Sequence, residues 1–232
     1  MRRLLLLSNS TNHGRGYLDH AMAEILQLFA GVRRIVFVPF ALKDRAGYTA
    51  RARTRFAAEG IEVDELAADD GGRRALESAE GIFVGGGNTF RLLKTLQEAS
   101  LLAPLQRRAR GGMPYLGASA GINITCPTIR TTNDMPIVEP AGFVALALVP
   151  FQINPHYLDA EAGSRHMGET REDRLREFLE ENDVAVVGLR EGAWLRVNGA
   201  AGELGGRTGA RLFRRDRSPE ELAPGAALDA LL

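Results

Sequence analysis

The chain has 232 residues, of which 45% are hydrophobic and 25% are charged, a composition typical of a globular protein with an ordinary buried core. Lys plus Arg and Asp plus Glu number 29 each, so the formal net charge is zero, and neither nucleic acid nor an anionic membrane is favoured as a partner. The single cysteine, Cys126, excludes an internal disulfide and a cysteine-based zinc site, and it fits a reducing compartment.

The first residues resemble the start of a secretion signal, because two arginines precede four leucines. The apolar run stops at Ser8, which makes it too short for a signal peptide or a membrane span. It instead predicts a buried first strand over residues 4–7 and a cytoplasmic protein.

Helical and strand patterns alternate from there to residue 117. Strands are predicted at residues 34–39, 61–66 and 113–117, with a fourth that starts at residue 81 and leads into a glycine loop at 85–89. Helices are predicted at residues 17–29, 48–59, 72–79, 90–97 and 101–110. This alternation predicts an α/β fold with a doubly wound, mostly parallel sheet.

The chain after residue 123 is less regular. Residues 124–168 have the short apolar pieces and polar turns of a functional loop region, followed by a charged helix at 169–180 and a buried strand at 184–189. Residues 193–199 and 211–213 predict additional C-terminal β structure, joined by a glycine-rich turn. Since no repeat or linker interrupts the pattern, we expect a single domain over residues 1–232.

The segment Gly117-Ala-Ser119-Ala-Gly121 has the spacing of a nucleophile elbow, a sharp turn between a strand and a helix that exposes a serine hydroxyl. In such a turn Ser119 is the candidate nucleophile. The residue that follows it, Ala120, offers a backbone N–H to a developing oxyanion.

A serine nucleophile needs a base, and the chain has four histidines. His156 is the preferred base, because it directly follows an apolar strand-like run. His20 falls on the first predicted helix, and His13 and His166 lie in loops. No pair of these residues has a metal-ligand spacing, so we expect no metal.

Two carboxylates could orient the imidazole. Asp134 lies between the elbow and His156, whereas Glu191 follows the strand predicted at residues 184–189. Triads of this kind occur with several chain orders, so the sequence leaves both candidates open.

The glycine loop over residues 85–89 has three interpretations. It could place a second oxyanion donor, Gly87, beside the elbow, with Asn88 available to a polar group of the substrate. Three glycines between a strand and a helix could also cradle a phosphate, although the spacing of known nucleotide motifs is missing. A tight turn without a ligand is the third interpretation.

Five segments together resemble the peptidase E family of α-aspartyl dipeptidases. They are residues 85–89, 117–123, 132–137, 153–157 and 168–173, and the resemblance extends from the first strand to about Phe213. It implies a flavodoxin-like sheet similar to that of class I glutamine amidotransferases and a serine peptidase that needs no cofactor. By position, it implies Ser119 as nucleophile, His156 as base and either Asp134 or Glu191 as acid, with Asp134 placed first.

The resemblance also implies substrates with a free N-terminal aspartate. We expect a monomer or a homodimer. Arg171 is the first candidate to bind the aspartate side chain, because a guanidinium matches a carboxylate in two hydrogen bonds, although it could also be a solvated charge at a helix start. Glu169 or Glu191 could hold the substrate ammonium.

Two alternatives to this function stay open. The same serine and histidine could act on isoaspartyl or cyanophycin-like peptides, or on esters. A non-catalytic sensor could instead bind a small molecule or nucleotide through the loop at 85–89.

Overall fold

A computed structural model describes residues 1–160 and 168–232, which form eleven strands and seven α-helices. The strands are β1 (Arg3–Leu7), β2 (Arg34–Val38), β3 (Glu62–Glu65), β4 (Ile82–Val84), β5 (Tyr115–Ala118), β6 (Gln152–Tyr157), β7 (Val186–Arg190), β8 (Ala193–Asn198), β9 (Ala201–Gly206), β10 (Ala210–Phe213) and β11 (Glu220–Leu222). The helices are α1 (Met22–Leu28), α2 (Arg45–Ala57), α3 (Asp70–Ser78), α4 (Thr89–Glu98), α5 (Leu102–Arg110), α6 (Ala120–Asn123) and α7 (Arg171–Glu181).

The strands form two sheets. The larger has the order β3-β2-β4-β5-β1-β8-β9, and its first five strands run parallel. The smaller has the order β11-β10-β7-β6, with β6 and β7 parallel. The predicted α/β fold, with a mostly parallel sheet and additional C-terminal β structure, is confirmed.

The apolar runs of the sequence are strands buried on both faces. In β1, Leu4 and Leu6 belong to one hydrophobic cluster, while Leu5 and Leu7 belong to a second. Successive side chains of a strand point to opposite faces, so a sheet covered on both sides needs apolar residues at every position. This burial explains why the first strands read as continuous rather than alternating apolar segments.

The order of the strands places several loops at one edge of the larger sheet. Strand β5 lies between β4 and β1, and all three are parallel. Their carboxyl ends therefore meet, which brings together the residues that follow them: Ser119 after β5, Gly85 after β4 and Ser8 after β1.

The structure differs from the predicted elements in two places. The helix expected over residues 17–29 begins only at Met22, because Leu18 has a φ of 63° and a short 3₁₀ turn precedes α1. The glycine-rich turn expected between residues 199 and 211 contains strand β9, and strand β11 lies beyond the last strand that the sequence predicts. Position 205 is a glycine because the indole of Trp194 packs against it, 2.2 Å from where a Cβ would lie.

Within the described ranges, no helix has both the length and the apolar character required to span a membrane.

Candidate active site

The elbow is present at the carboxyl end of β5. Ser119 has φ 52° and ψ −110°, a conformation that a residue with a side chain rarely adopts, and α6 begins directly after it. Gly121 permits the turn to pack against β4, since a Cβ at that position would lie 2.2 Å from the carbonyl oxygen of Val84. The spacing of the elbow motif thus reflects close backbone packing around the serine.

His156 lies in a β-bulge. Pro155 pairs with Leu189 and Tyr157 with Arg190, so His156 is the extra residue of β6, and its φ is 53°. A bulge re-aims a side chain that would otherwise follow the alternation of the strand.

The imidazole of His156 joins two other candidate residues. Its Nε2 lies 2.9 Å from Oγ of Ser119, and its Nδ1 lies 2.6 Å from Oε1 of Glu191. A hydrogen bond from Nδ1–H to the carboxylate leaves Nε2 as the acceptor for the serine hydroxyl. The three side chains can therefore abstract and return a proton at Ser119.

Asp134, placed first among the candidate acids, lies elsewhere. Its Oδ2 accepts hydrogen bonds from the N–H of Thr89 at 2.8 Å, from the Thr89 hydroxyl at 2.6 Å and from the Thr132 hydroxyl at 3.1 Å. No hydrogen bond among the described residues joins Asp134 to His156. The expectation that Asp134 is the first candidate for the orienting acid is thus corrected. The loop that carries Asp134 packs against the start of α4, whereas Glu191 contacts the imidazole.

The glycine loop after β4 has most of its N–H groups paired within the protein. The pairs are Gly85 N–H with the Val38 carbonyl oxygen at 3.2 Å, Gly86 N–H with the Tyr48 hydroxyl at 2.8 Å and Asn88 N–H with the Ala41 carbonyl oxygen at 2.9 Å. Within the described part of the chain, the N–H of Gly87 has no such partner. Gly87 has a φ of 129°, a conformation open to glycine.

Within the described residues, a second backbone N–H next to the elbow also lacks a hydrogen-bond partner. Ala120 occupies the first position of α6, where a backbone N–H has no partner within the helix. The loop approaches Ser119 closely, since a Cβ on Gly86 would lie 3.1 Å from the Ser119 Cβ. The loop that carries Gly87 and the start of α6 thus both lie beside Ser119.

Tyr48 supports this loop, and the sequence interpretation did not include it. The side chain is 7% exposed, on helix α2, and its hydroxyl accepts the Gly86 N–H. Burial raises the pKa of the Tyr48 phenol, so the group stays neutral. No local motif marks this tyrosine, because the contact joins a helix to a loop far along the chain.

Asn88 and Arg171, the predicted substrate-binding residues, differ in their surroundings. The Asn88 Oδ1 accepts the Arg91 N–H at 3.0 Å as the N-cap of α4, and its Nδ2 donates to the Met135 carbonyl oxygen at 2.8 Å. The amide is thus engaged at both ends, and the structure gives Asn88 a capping role instead of a free polar group.

Arg171 is the first residue of α7 and is partly buried. Burial lowers the pKa of its guanidinium, and the nearby Arg174 acts in the same direction, whereas Asp134 opposes both. The charge of Asp134 therefore acts on Arg171 across the loop that follows the elbow.

Among the described residues, His13, His20 and Cys126 have no hydrogen bond to the candidate triad. His13 is exposed, His20 is partly buried, and His166 lies outside the described residues. Burial raises the pKa of the Cys126 thiol to about 12, which leaves almost no thiolate at neutral pH. Over residues 1–160 and 168–232, no group of three or more His, Cys, Asp or Glu side chains has the arrangement of a metal site.

The model of peptidase family S51 matches residues 4–205. The chain belongs to peptidase family S51. Membership confirms the predicted peptidase E relationship and the prediction of a serine-type dipeptidase. Within the family, a peptidase E of Streptomyces coelicolor is 57% identical over 229 residues, which cover 99% of this chain and 94% of that protein. A Drosophila melanogaster protein named as a probable alpha-aspartyl dipeptidase is 51% identical, covering 100% of this chain and 98% of its own.

A solved structure supports the fold of this family member. The peptidase from an acI-B1 actinobacterium superimposes with a TM-score of 0.75 at 16% identity, covering 98% of this chain and 96% of that one. At that identity the likeness concerns the fold alone.

Proposed function

We propose that this enzyme hydrolyses dipeptides with an unblocked N-terminal aspartate, with Ser119 as the nucleophile, His156 as the general base and Glu191 as the orienting acid. The observation that carries the proposal is the position of the imidazole, 2.9 Å from the Ser119 hydroxyl and 2.6 Å from the Glu191 carboxylate. Acyl transfer by a serine requires this relation of nucleophile, base and acid. The relatives named peptidase E and alpha-aspartyl dipeptidase support the choice of substrate.

The reaction follows from these contacts. Nε2 of His156 takes the proton of the Ser119 hydroxyl while Oγ attacks the carbonyl carbon of the N-terminal aspartate. The N–H groups of Gly87 and Ala120 stabilise the negative charge on the carbonyl oxygen. The imidazolium, held by Glu191, then donates its proton to the departing amine as the C–N bond breaks, and water hydrolyses the acyl-enzyme by the same steps.

Two charged groups beside the loops suit an aspartyl substrate. We propose that Arg171 binds the side-chain carboxylate of the substrate, since a partly buried guanidinium gains more from an anionic partner than a fully solvated one. Asp134 is the better candidate for the substrate ammonium, because Glu191 is engaged with the imidazole and Glu169 is exposed and paired with Arg174 at 3.4 Å. The Oδ1 oxygen of Asp134 takes part in none of that residue's hydrogen bonds to Thr89 and Thr132.

The contacts of the glycine loop argue against the sensor alternative. A phosphate cradle needs several N–H groups directed at one anion. Here the N–H groups of Gly85, Gly86 and Asn88 have partners in the protein, and the Asp134 carboxylate already occupies the N–H of Thr89. A second anion at this helix start would meet that carboxylate.

A dipeptide panel tests the proposal. Purified enzyme should hydrolyse Asp-Leu and should discriminate against Glu-Leu, Ala-Leu, N-acetyl-Asp-Leu and isoaspartyl-Leu. Ser119→Ala should lower kcat by about 10⁴-fold or more, whereas Ser218→Ala, a change at an exposed position between β10 and β11, should match the unmodified enzyme. Equal rates on Asp-Leu and Ala-Leu would exclude the aspartate preference, and an active Ser119→Ala would exclude the nucleophile.

A further inference from the structure

Ser8, the first residue after β1, has a fully buried side chain with two long-range contacts. Its Oγ accepts the backbone N–H of His156 at 2.9 Å and donates to the carbonyl oxygen of Leu189 at 2.8 Å. Both contacts lie among strands that carry the candidate triad, since His156 belongs to β6 and Leu189 to β7, two residues before Glu191. One hydroxyl group therefore joins three strands behind the site.

The residues on either side of Ser8 hold the other parts of the constellation. The carbonyl oxygen of Leu7 accepts the N–H of Ser119 at 3.1 Å. The Oδ1 of Asn9, which is 2% exposed, accepts the N–H of Gly192 at 2.8 Å, directly after Glu191. The three consecutive residues thus contact the backbone at or beside every member of the candidate triad.

The contact to His156 has a specific physical reason. His156 is the extra residue of the β-bulge, so it lacks a pairing position opposite β7, and its φ of 53° is unfavourable for a residue with a Cβ. A buried N–H without an acceptor would add to this cost. The hydroxyl of Ser8 supplies that acceptor.

We propose that Ser8 is a positioning residue for the triad: its hydroxyl holds the bulge at His156 in the left-handed conformation that directs the imidazole between Ser119 and Glu191. The proposal deepens the proposed function and rests on it for the reaction, although the position of the imidazole can be measured without any substrate. Ser8 contacts the backbone of the base and has no part in bond making.

Substitution of Ser8 should lower turnover more than binding. In Ser8→Ala, the His156 N–H and the Leu189 carbonyl both lose their partner, and we expect kcat on Asp-Leu to fall about 10- to 100-fold through misplacement of the imidazole. The KM should stay within about twofold, because the groups proposed to bind the aspartate are untouched. Ser8→Cys, which has similar size and a weak donor and acceptor, should recover part of the lost kcat.

A matched control removes a different buried hydroxyl. Thr49 is fully buried on α2, and its Oγ1 donates to the Arg45 carbonyl oxygen at 2.9 Å. Thr49→Val should lower the melting temperature in the same range as Ser8→Ala but leave kcat unchanged. A loss of kcat in Ser8→Ala alone then reports positioning rather than stability.

Proton NMR gives a readout independent of activity. The short Nδ1–H to Glu191 hydrogen bond should give a low-field imidazole proton resonance in the unmodified enzyme, and this resonance should shift or disappear in Ser8→Ala. If the unmodified enzyme hydrolyses no peptide of the panel, the proposed function is overturned. The low-field resonance, compared between the unmodified protein and Ser8→Ala, then still tests whether Ser8 positions the imidazole.

Two results would overturn the role of Ser8. One is a Ser8→Ala enzyme with the kcat and the low-field resonance of Thr49→Val. The other concerns Ser8→Cys and applies if Ser8→Ala does not fold. Full kcat and an unshifted imidazole resonance in Ser8→Cys would show that the hydroxyl is not required.

Discussion

The two sheets supply different halves of the candidate site. The larger sheet provides Ser119 and the loop of Gly87, from neighbouring parallel strands. The smaller sheet provides His156 at the end of β6 and Glu191 after β7. The first half is built mainly from local turns, whereas the second depends on contacts between residues far apart in the chain.

Both halves contain a residue in an unfavourable backbone conformation, but each stabilises it differently. Ser119 has a φ of 52° and lies two residues from Gly117 and Gly121, whose missing side chains give the turn room to pack. His156 has a φ of 53° between Pro155 and Tyr157, so neither of its neighbours in the chain is a glycine. Its conformation is held by hydrogen bonds from other strands, so its geometry should respond to distant substitutions.

Exchange of the acid gives the largest expected effect and tests the half built by long-range contacts. Glu191→Gln should lower kcat by about 10³-fold, because an amide stabilises the imidazolium poorly and favours the wrong tautomer. Asp134→Asn should instead raise KM more than it lowers kcat, since the carboxylate proposed to hold the substrate ammonium loses its charge. Steady-state kinetics on Asp-Leu compares the two variants. A large loss of kcat in Asp134→Asn, with kcat retained in Glu191→Gln, would assign the triad acid to Asp134.

Crowding of the elbow tests the half built by local turns. Gly121→Ala should destabilise the protein by about 1–3 kcal/mol, because the new Cβ would lie 2.2 Å from the Val84 carbonyl oxygen and the strands must move. Gly142→Ala is the matched control, since a Cβ there meets nothing within 4 Å, and the free energy of unfolding should change by less than about 0.5 kcal/mol. Urea denaturation measures both, and equal stabilities would refute this account of the elbow.

A smaller effect is expected from the support of the glycine loop. Tyr48→Phe removes the acceptor of the Gly86 N–H, which lies one residue before the proposed donor Gly87. We expect kcat on Asp-Leu to fall about tenfold, less than for loss of a donor itself, because the loop keeps its other backbone contacts. An unchanged kcat would mean that the loop holds its shape without the tyrosine.

The smallest expected effect is on stability in acid. The side chain of Arg190 holds the pKa of Asp159 below its ordinary 3.8 through hydrogen bonds of 2.7 and 2.9 Å. A lowered carboxyl pKa stabilises the folded state above the ordinary value, and this contribution disappears as the pH falls toward the folded-state value. Asp159→Asn should therefore cost about 0.5 kcal/mol near pH 7, a small amount because the carboxylate is 46% exposed, and progressively less as the pH falls below the ordinary carboxyl pKa.

Thermal unfolding of both proteins from pH 7 to pH 2 measures this difference. A constant gap between their stabilities across the range would show that the ion pair makes no pH-dependent contribution.

The sequence predicts the half of the site on the larger sheet better than the half on the smaller sheet. Ser119 was predicted because the glycines that permit its turn lie within two residues of it. The sequence leaves the choice between Asp134 and Glu191 open, since which of them reaches His156 depends on strand pairing and on the packing of the loop that carries Asp134. The capping role of Asn88 does have a local signal, because an asparagine directly before a helix is typical of an N-cap.

Ser8 and Tyr48 mark the limit of sequence interpretation here. A serine directly after a fully apolar strand is the only local sign of the first, and the partner of its hydroxyl, His156, follows much later in the chain. Tyr48 resembles any apolar position on the buried face of α2. In each case the role depends on which elements become neighbours, and residue spacing does not determine that.

The central place of β1 also affects how the protein is made. Leu4 pairs with Tyr115 and Leu7 with Trp194, so during synthesis β1 must wait for partners that are more than 100 residues further along the chain. Pairings so distant in sequence make folding slow, and the apolar β1 stays exposed to aggregation until they form. Synthesis must therefore pass residue 191 before Ser119, His156 and Glu191 can come together, and until then the candidate site cannot assemble.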